Sequence, residues 1–209
     1  MQDDRASLIR ELSQEIAYHT AEQLIRLIRE EFRSLTPHSG AVQLRDDRLI
    51  FINYRRSDSE DVCGRIYDRV AQTFGRDSVF RDVANILPGA NFRVVLEREV
   101  SACDLMIVVM GREWLNQENM QRLHDENDFV RFEIETALKR DIPIIPVWVS
   151  RRNTMPEVDK LPTSVRDLVN RQAIAIRADP DFHGDVDRLI VRISDIFDLL
   201  DEMVNPPGR

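Results

Sequence analysis

From residue 48 onward the chain alternates short apolar runs with longer segments whose apolar positions recur at helical spacing. The runs RLIFINY (48–54), SVFR (78–81), DLMIVVM (104–110), IPIIPVWV (142–149) and QAIAI (172–176) predict strands. The segments near 58–74, 90–101, 127–140, 164–170 and 182–203 predict helices. Strand then helix, five times over, implies a parallel sheet covered on both faces. The unbroken LMIVVM agrees, because a strand buried on both sides has no polar face to show. For five such units the expected fold is a flavodoxin-like α/β sheet of order 2-1-3-4-5, whose ligand crevice opens at the carboxyl ends of strands 1 and 3. That end carries Asn53, Tyr54, Arg55 and Arg56 after strand 1, Gly111 and Arg112 after strand 3, and residues 82–89 after strand 2. No glycine-rich phosphate fingerprint follows strand 1, which disfavours a Rossmann or P-loop nucleotide site. The stretch GREWLNQENMQRLHDE (111–126) reads as one long loop.

Residues 3–35 follow a different pattern. Leu8, Leu12, Ile16, Leu24, Ile28 and Phe32 stand four or eight positions apart among charged residues, the spacing of an amphipathic helix. Its narrow stripe suits a short coiled coil and equally a helix laid on its own domain's surface. TPHSG (36–40) then breaks the pattern. The expected organisation is an N-terminal amphipathic helix and linker at 1–40, an α/β domain at 41–204 and a disordered tail at 205–209.

The segment DFVRFEIETALKR (128–140) carries two glutamates on one predicted helix. At 100° per residue, Val130, Ile134, Ala137 and Leu138 form the stripe facing the sheet. Glu135 falls on the far side, four residues from both Arg131 and Lys139, in what reads as a solvated charge ladder. Glu133 lies at the border of the buried arc, one turn after Phe129 and at the edge of the expected crevice. Phe132 projects off the arc, so either the preceding loop covers it or it belongs to an interface.

Composition narrows the function classes. With 29 basic and 37 acidic residues the net charge is -8, which argues against nucleic acid or anionic lipid as the main partner. No stretch reaches the roughly 20 apolar residues of a membrane span, and the N-terminus lacks a signal peptide's apolar centre, so a cytoplasmic location is expected. Cys63 and Cys103 read as reduced, packed thiols. The four histidines lack partners at metal-ligand spacing, so no metal and no resident cofactor are expected.

Several stretches together resemble the Toll/interleukin-1 receptor (TIR) domain family in its bacterial form. LIFINYRRSD (49–58) is similar to the family's first box, and VFRDVANILPGANF (79–92) to its second strand and BB loop. CDLMIVVMGREWL (103–115) is similar to the third strand, and NDFVRFEIETALKRDIPIIPVWV (127–149) to helix C and the fourth strand. The resemblance covers about residues 47–200. Some family members signal by assembling with other TIR domains; others cleave the nicotinamide–ribose bond of NAD+ to give nicotinamide and linear or cyclised ADP-ribose. The resemblance implies that Glu133 is the catalytic glutamate, that Phe129 and Tyr54 flank the substrate's flat ring and that Arg55 meets the pyrophosphate or organises the loop. It places Asp82 and Gly89, with Leu87 and Pro88, around the site. Where the first box often has serine, this chain has Asn53.

The expected function is thus a bacterial NAD+ hydrolase or cyclase, with NAD+ as substrate rather than cofactor, acting in anti-phage defence. Self-association is expected through the TIR domain and the N-terminal helix. The competing reading is a non-enzymatic interaction module that binds other TIR domains and relays or disturbs immune signalling. A receiver-like or deoxyribosyltransferase-like domain is a third reading, and the missing acidic pair after strand 1 counts against the receiver.

Overall fold

A computed structural model of the protein describes residues 48–81, 92–149 and 156–204. The helix and linker expected at 1–40, the loop carrying Asp82, Leu87, Pro88 and Gly89, and the tail at 205–209 lie outside the described residues. In chain order the elements are β1 (Ile50–Tyr54), α1 (Arg56–Phe74), β2 (Val79–Phe80), α2 (Phe92–Ser101), β3 (Leu105–Met110), α3 (Gln117–His124) and α4 (Phe129–Lys139). They continue with β4 (Ile144–Trp148), β5 (Ile174–Ala175) and α5 (Phe182–Val204). The five strands form one parallel sheet in the order β2-β1-β3-β4-β5, as the strand–helix alternation predicts.

Both faces of the sheet are apolar, and the period-two alternation of each strand decides which helix its side chains meet. Ile50, Ile52 and Tyr54 of β1 pack with Cys63, Ile66 and Val70 of α1 and with Phe182, Val186, Leu189 and Ile193 of α5. Phe51 of β1, with Met106, Val108 and Met110 of β3, packs instead with Leu96 and Val100 of α2 and Val130, Ile134 and Ala137 of α4. Central strand β3 is buried at all six positions. Its neighbours align residue by residue, Asn53 opposite Val108 and Tyr54 opposite Val109. Both cysteines are free and buried, and burial pushes the Cys103 thiol far above its usual range.

Two expectations change. Residues 111–126 are not one long loop, because they contain α3. Asn116 caps that helix by accepting the Asn119 N–H at 2.7 Å, and Leu123 is buried from it into the α4-side core. Residues 163–170 form a 3-10 helix rather than an α-helix. Val165 and Leu168, three apart, both reach the core there, as the tighter repeat requires. Helix α1 stops at Gly75, whose φ of 96° is accessible to glycine at little cost. Among the described residues no helix is long and apolar enough to cross a membrane.

Helix α5 is tied to the strand before it by Asp185, which is fully buried. Its carboxylate accepts the backbone N–H of Arg177 at 2.8 Å and the Arg177 guanidinium at 2.9 and 2.8 Å, with Arg188 as a further partner. These donors, the Arg177 side chain above all, hold the Asp185 carboxyl far below the ordinary carboxylate range. A carboxyl depressed on folding contributes its full stability above the unfolded value, about 4, and loses it as pH falls below. Asp185→Asn should therefore lower stability in urea denaturation at pH 7 by about 1–2 kcal/mol, discounted for the exposed arginines, and the gap should narrow toward pH 3.

Candidate functional site

The carboxyl edge of the sheet is organised by one residue immediately after β1. Arg55 is the N-cap residue of α1, and its carbonyl accepts the N–H groups of Asp58 and Ser59 at 2.9 and 3.0 Å. Its guanidinium crosses to Asp128, with Nη1 donating to Oδ2 at 2.9 Å and Nη2 to Oδ1 at 3.1 Å. Both side chains are almost completely buried, at 2% and 3% exposure. Asp128 is also the N-cap of α4, accepting the Arg131 N–H at 3.0 Å, and Arg122 of α3 lies 3.4 Å from its other oxygen. A carboxylate at a helix N-terminus suits the helix dipole. The end of β1 and the start of α4 are thus joined by one bidentate pair.

The junction places Glu133, one turn into α4 and half-buried. Asn53, the fourth residue of β1, donates from Nδ2 to Glu133 Oε2 at 2.6 Å and to the Val130 carbonyl at 3.3 Å. Asn53 is fully buried. Alternation along β1 puts it on the α4 face with Phe51, and it is the polar member of an otherwise apolar strand. Glu135 points elsewhere, to Arg131 on its own helix and to the Ser164 hydroxyl of the 3-10 helix. Half of the expected charge ladder is present. The far side of α4 is partly covered by that 3-10 helix rather than fully solvated, so Glu135 is half-buried.

Phe129 opens α4 at 51% exposure, and its ring lies against Phe92, with centroids 4.5 Å apart and planes tilted by 56°. Phe92, the first residue of α2, is 39% exposed. This leaves an open aromatic pair one turn from Glu133. On the α2 side of Phe132 the Arg93 guanidinium stands 5.0 Å over its ring. Across the same edge, Asp58 accepts the backbone N–H groups of Gly111 at 2.8 Å and Glu113 at 2.7 Å, fastening the loop after β3. A Cβ on Gly111 would stand 2.5 Å from the Asp58 carboxyl, so this approach requires glycine. Burial pushes the Asp58 carboxyl up, against the pull of its two backbone donors.

The structure brings Glu133 and Phe129 together on α4, joins to them Asn53, which the sequence placed at the crevice edge without a role, and adds Phe92, which the sequence did not place in the site. Tyr54 is 7% exposed and packs on the opposite face, with α1 and α5. Arg55 is next to the site through its backbone, but its guanidinium is held by Asp128. Asp82 and Gly89 lie outside the described residues. Alternation along β1 was the available signal, since it puts residues 51 and 53 on one face and 54 on the other. An open groove lined by Met120, His124 and Lys160 lies between α3 and the turn at Val158–Lys160, and no candidate site residue borders it. Among the described residues no group of three or more metal-ligating side chains is assembled.

The TIR domain family profile matches residues 50–190. Among solved structures, the chain is similar to the TIR domains in the structure of the activated Roq1 resistosome directly recognising the pathogen effector XopQ. The identity is 12%, the match covers 71% of this chain and 98% of that one, and the TM-score is 0.46. No curated protein matches the chain.

Removing one partner of a buried pair strands the other's charge, whereas removing both strands neither. Arg55→Met and Asp128→Leu should each destabilise by about 3–5 kcal/mol in urea denaturation, and the double variant should lose clearly less than the sum.

Proposed function

The chain belongs to the TIR domain family, and on that footing we propose that it cleaves the nicotinamide–ribose bond of NAD+ with Glu133 as the catalytic carboxylate. The observation that carries this reading is the pairing of a half-buried, hydrogen-bonded carboxylate with an open aromatic pair one helical turn away, at the carboxyl edge of strands β1 and β3. That edge is where doubly wound sheets bind their ligands.

The residue types suit the reaction. The bond between C1′ and the nicotinamide nitrogen breaks with its electron pair leaving on nicotinamide, which departs neutral because it was cationic. The ribose becomes oxocarbenium-like, and a fixed carboxylate lowers the energy of that cation more than that of the ground state. Water adds to C1′ and releases a proton, giving ADP-ribose; attack by a nucleophile within the same molecule gives a cyclic product instead. Phe129 and Phe92 offer flat apolar surface for the nicotinamide ring. In this reading Arg55 positions α4 through Asp128 rather than binding pyrophosphate, and Tyr54 supports β1 from the other face. Asp82 and Gly89 remain proposed substrate contacts.

A second reading, self-association, is favoured by the exposed apolar side chains Val191, Leu199 and Met203 on α5. A surface of this kind fits a homotypic partner or another TIR domain. It is compatible with the enzymatic reading, because assembly raises local concentration.

Concentrated protein incubated with NAD+ should release nicotinamide, measured chromatographically. Glu133→Gln should reduce the rate by about 100-fold or more, whereas Glu135→Gln should change it by less than about threefold. No turnover by assembled wild-type protein, or unchanged turnover in Glu133→Gln, would sink the proposal.

A further inference from the structure

We propose that Asn53 is the positioning residue of Glu133: its buried side-chain amide holds the carboxylate in its ionised form and fixes its direction from α4. This rests on the reading of Glu133 as the reacting carboxylate. The geometry is specific. Both Nδ2 hydrogens are used on α4, one on Glu133 Oε2 at 2.6 Å and one on the Val130 carbonyl at 3.3 Å. Turning the amide over would set its oxygen against two acceptors, so hydrogen-bond chemistry allows one orientation only.

Three observations separate this from a packing role. Asn53 is fully buried, yet its Oδ1 has no partner among the described residues. A buried acceptor left unmade costs the fold, so a leucine of similar size would pack this position at least as well. The donor end, by contrast, is directed at a charge, where a short hydrogen bond is strongest. An N–H bond to a carboxylate is stronger than one to the carbonyl oxygen of the protonated acid, so the amide favours the charged form.

Charged groups on the neighbouring helices have partners of their own. Arg93 of α2 is turned to the Phe132 ring and the Glu126 carbonyl. Arg131 and Glu135 of α4 pair with each other. The Asn53 amide donates to Glu133 from the sheet side.

The experiment follows the Glu133 carboxyl by carbon-13 NMR titration of the full chain, its signal assigned by its loss in Glu133→Gln. In Asn53→Leu the titration midpoint should move up by about one pH unit, and further in Asn53→Asp, where two carboxyls share the contact. Urea denaturation of Asn53→Leu should be unchanged or improved, while nicotinamide release falls by about tenfold or more and its acid limb shifts to higher pH. A Glu133 midpoint unmoved in both variants would overturn the proposal. So would a stability loss in Asn53→Leu with an unmoved midpoint. Should Asn53→Leu not fold, Asn53→Ser, too short to span the contact, carries the same expectation. If wild-type protein proves inactive toward NAD+, the reaction proposal fails by itself, and the titration still decides whether Asn53 controls Glu133.

Discussion

The buried pair of Arg55 and Asp128 is the constraint on which the carboxyl edge of the sheet, and with it the candidate site, depends. A parallel sheet fixes where β1 ends, but nothing in the sheet dictates where the helix after β3 must begin. The pair does so by coupling the first residue beyond β1 to the N-cap of α4 through two parallel hydrogen bonds. Because a helix rises 1.5 Å per residue and turns 100°, fixing its first turn fixes the height and direction of every later side chain. Glu133 meets Asn53 as a consequence. The bidentate fork matters here, since a single point charge would fix distance without orientation.

A second layer of control comes from strand alternation. Odd and even positions of β1 feed two separate cores, so neighbours 53 and 54 belong to different halves of the molecule. An apolar strand buried on both sides tolerates a polar side chain only where a partner waits. The partners of Asn53 come from α4, so the polar contact exists only when that helix is seated correctly.

Much of this was legible from residues. Five apolar runs separated by helical patterns give the sheet, its order and the edge at which to look, and helical geometry alone separates Glu133 from Glu135. Other features were hidden for physical reasons. Helix α3 is eight residues long and mostly polar, with Leu123 as its main apolar anchor, so its periodicity is too short to register beside an Asn cap. The pairing of Arg55 with Asp128 spans 73 positions, and local pattern carries no information on which of many carboxylates an arginine will reach. Phe92 is one aromatic at a helix start until the fold sets it against Phe129. Asn53 was placed at the crevice edge, and the period of two, which assigns it to the face of Phe51, was the signal for its contact with α4.

Three of the five buried polar side-chain atoms left without partners among the described residues share a location. Asn53 Oδ1, Arg55 Nε and Trp114 Nε1 belong to the segments at or just beyond the carboxyl ends of β1 and β3, while Arg69 Nε and Ser101 Oγ lie on α1 and α2. A core built for stability alone would fill those positions with apolar side chains, as it does along the rest of both strands. Polar side chains kept at the end of an otherwise apolar strand fit a role in holding other side chains in place. The position of Glu133 is then the product of three nested constraints: strand register sets Asn53, the Arg55–Asp128 pair sets α4, and the amide between them sets the carboxylate.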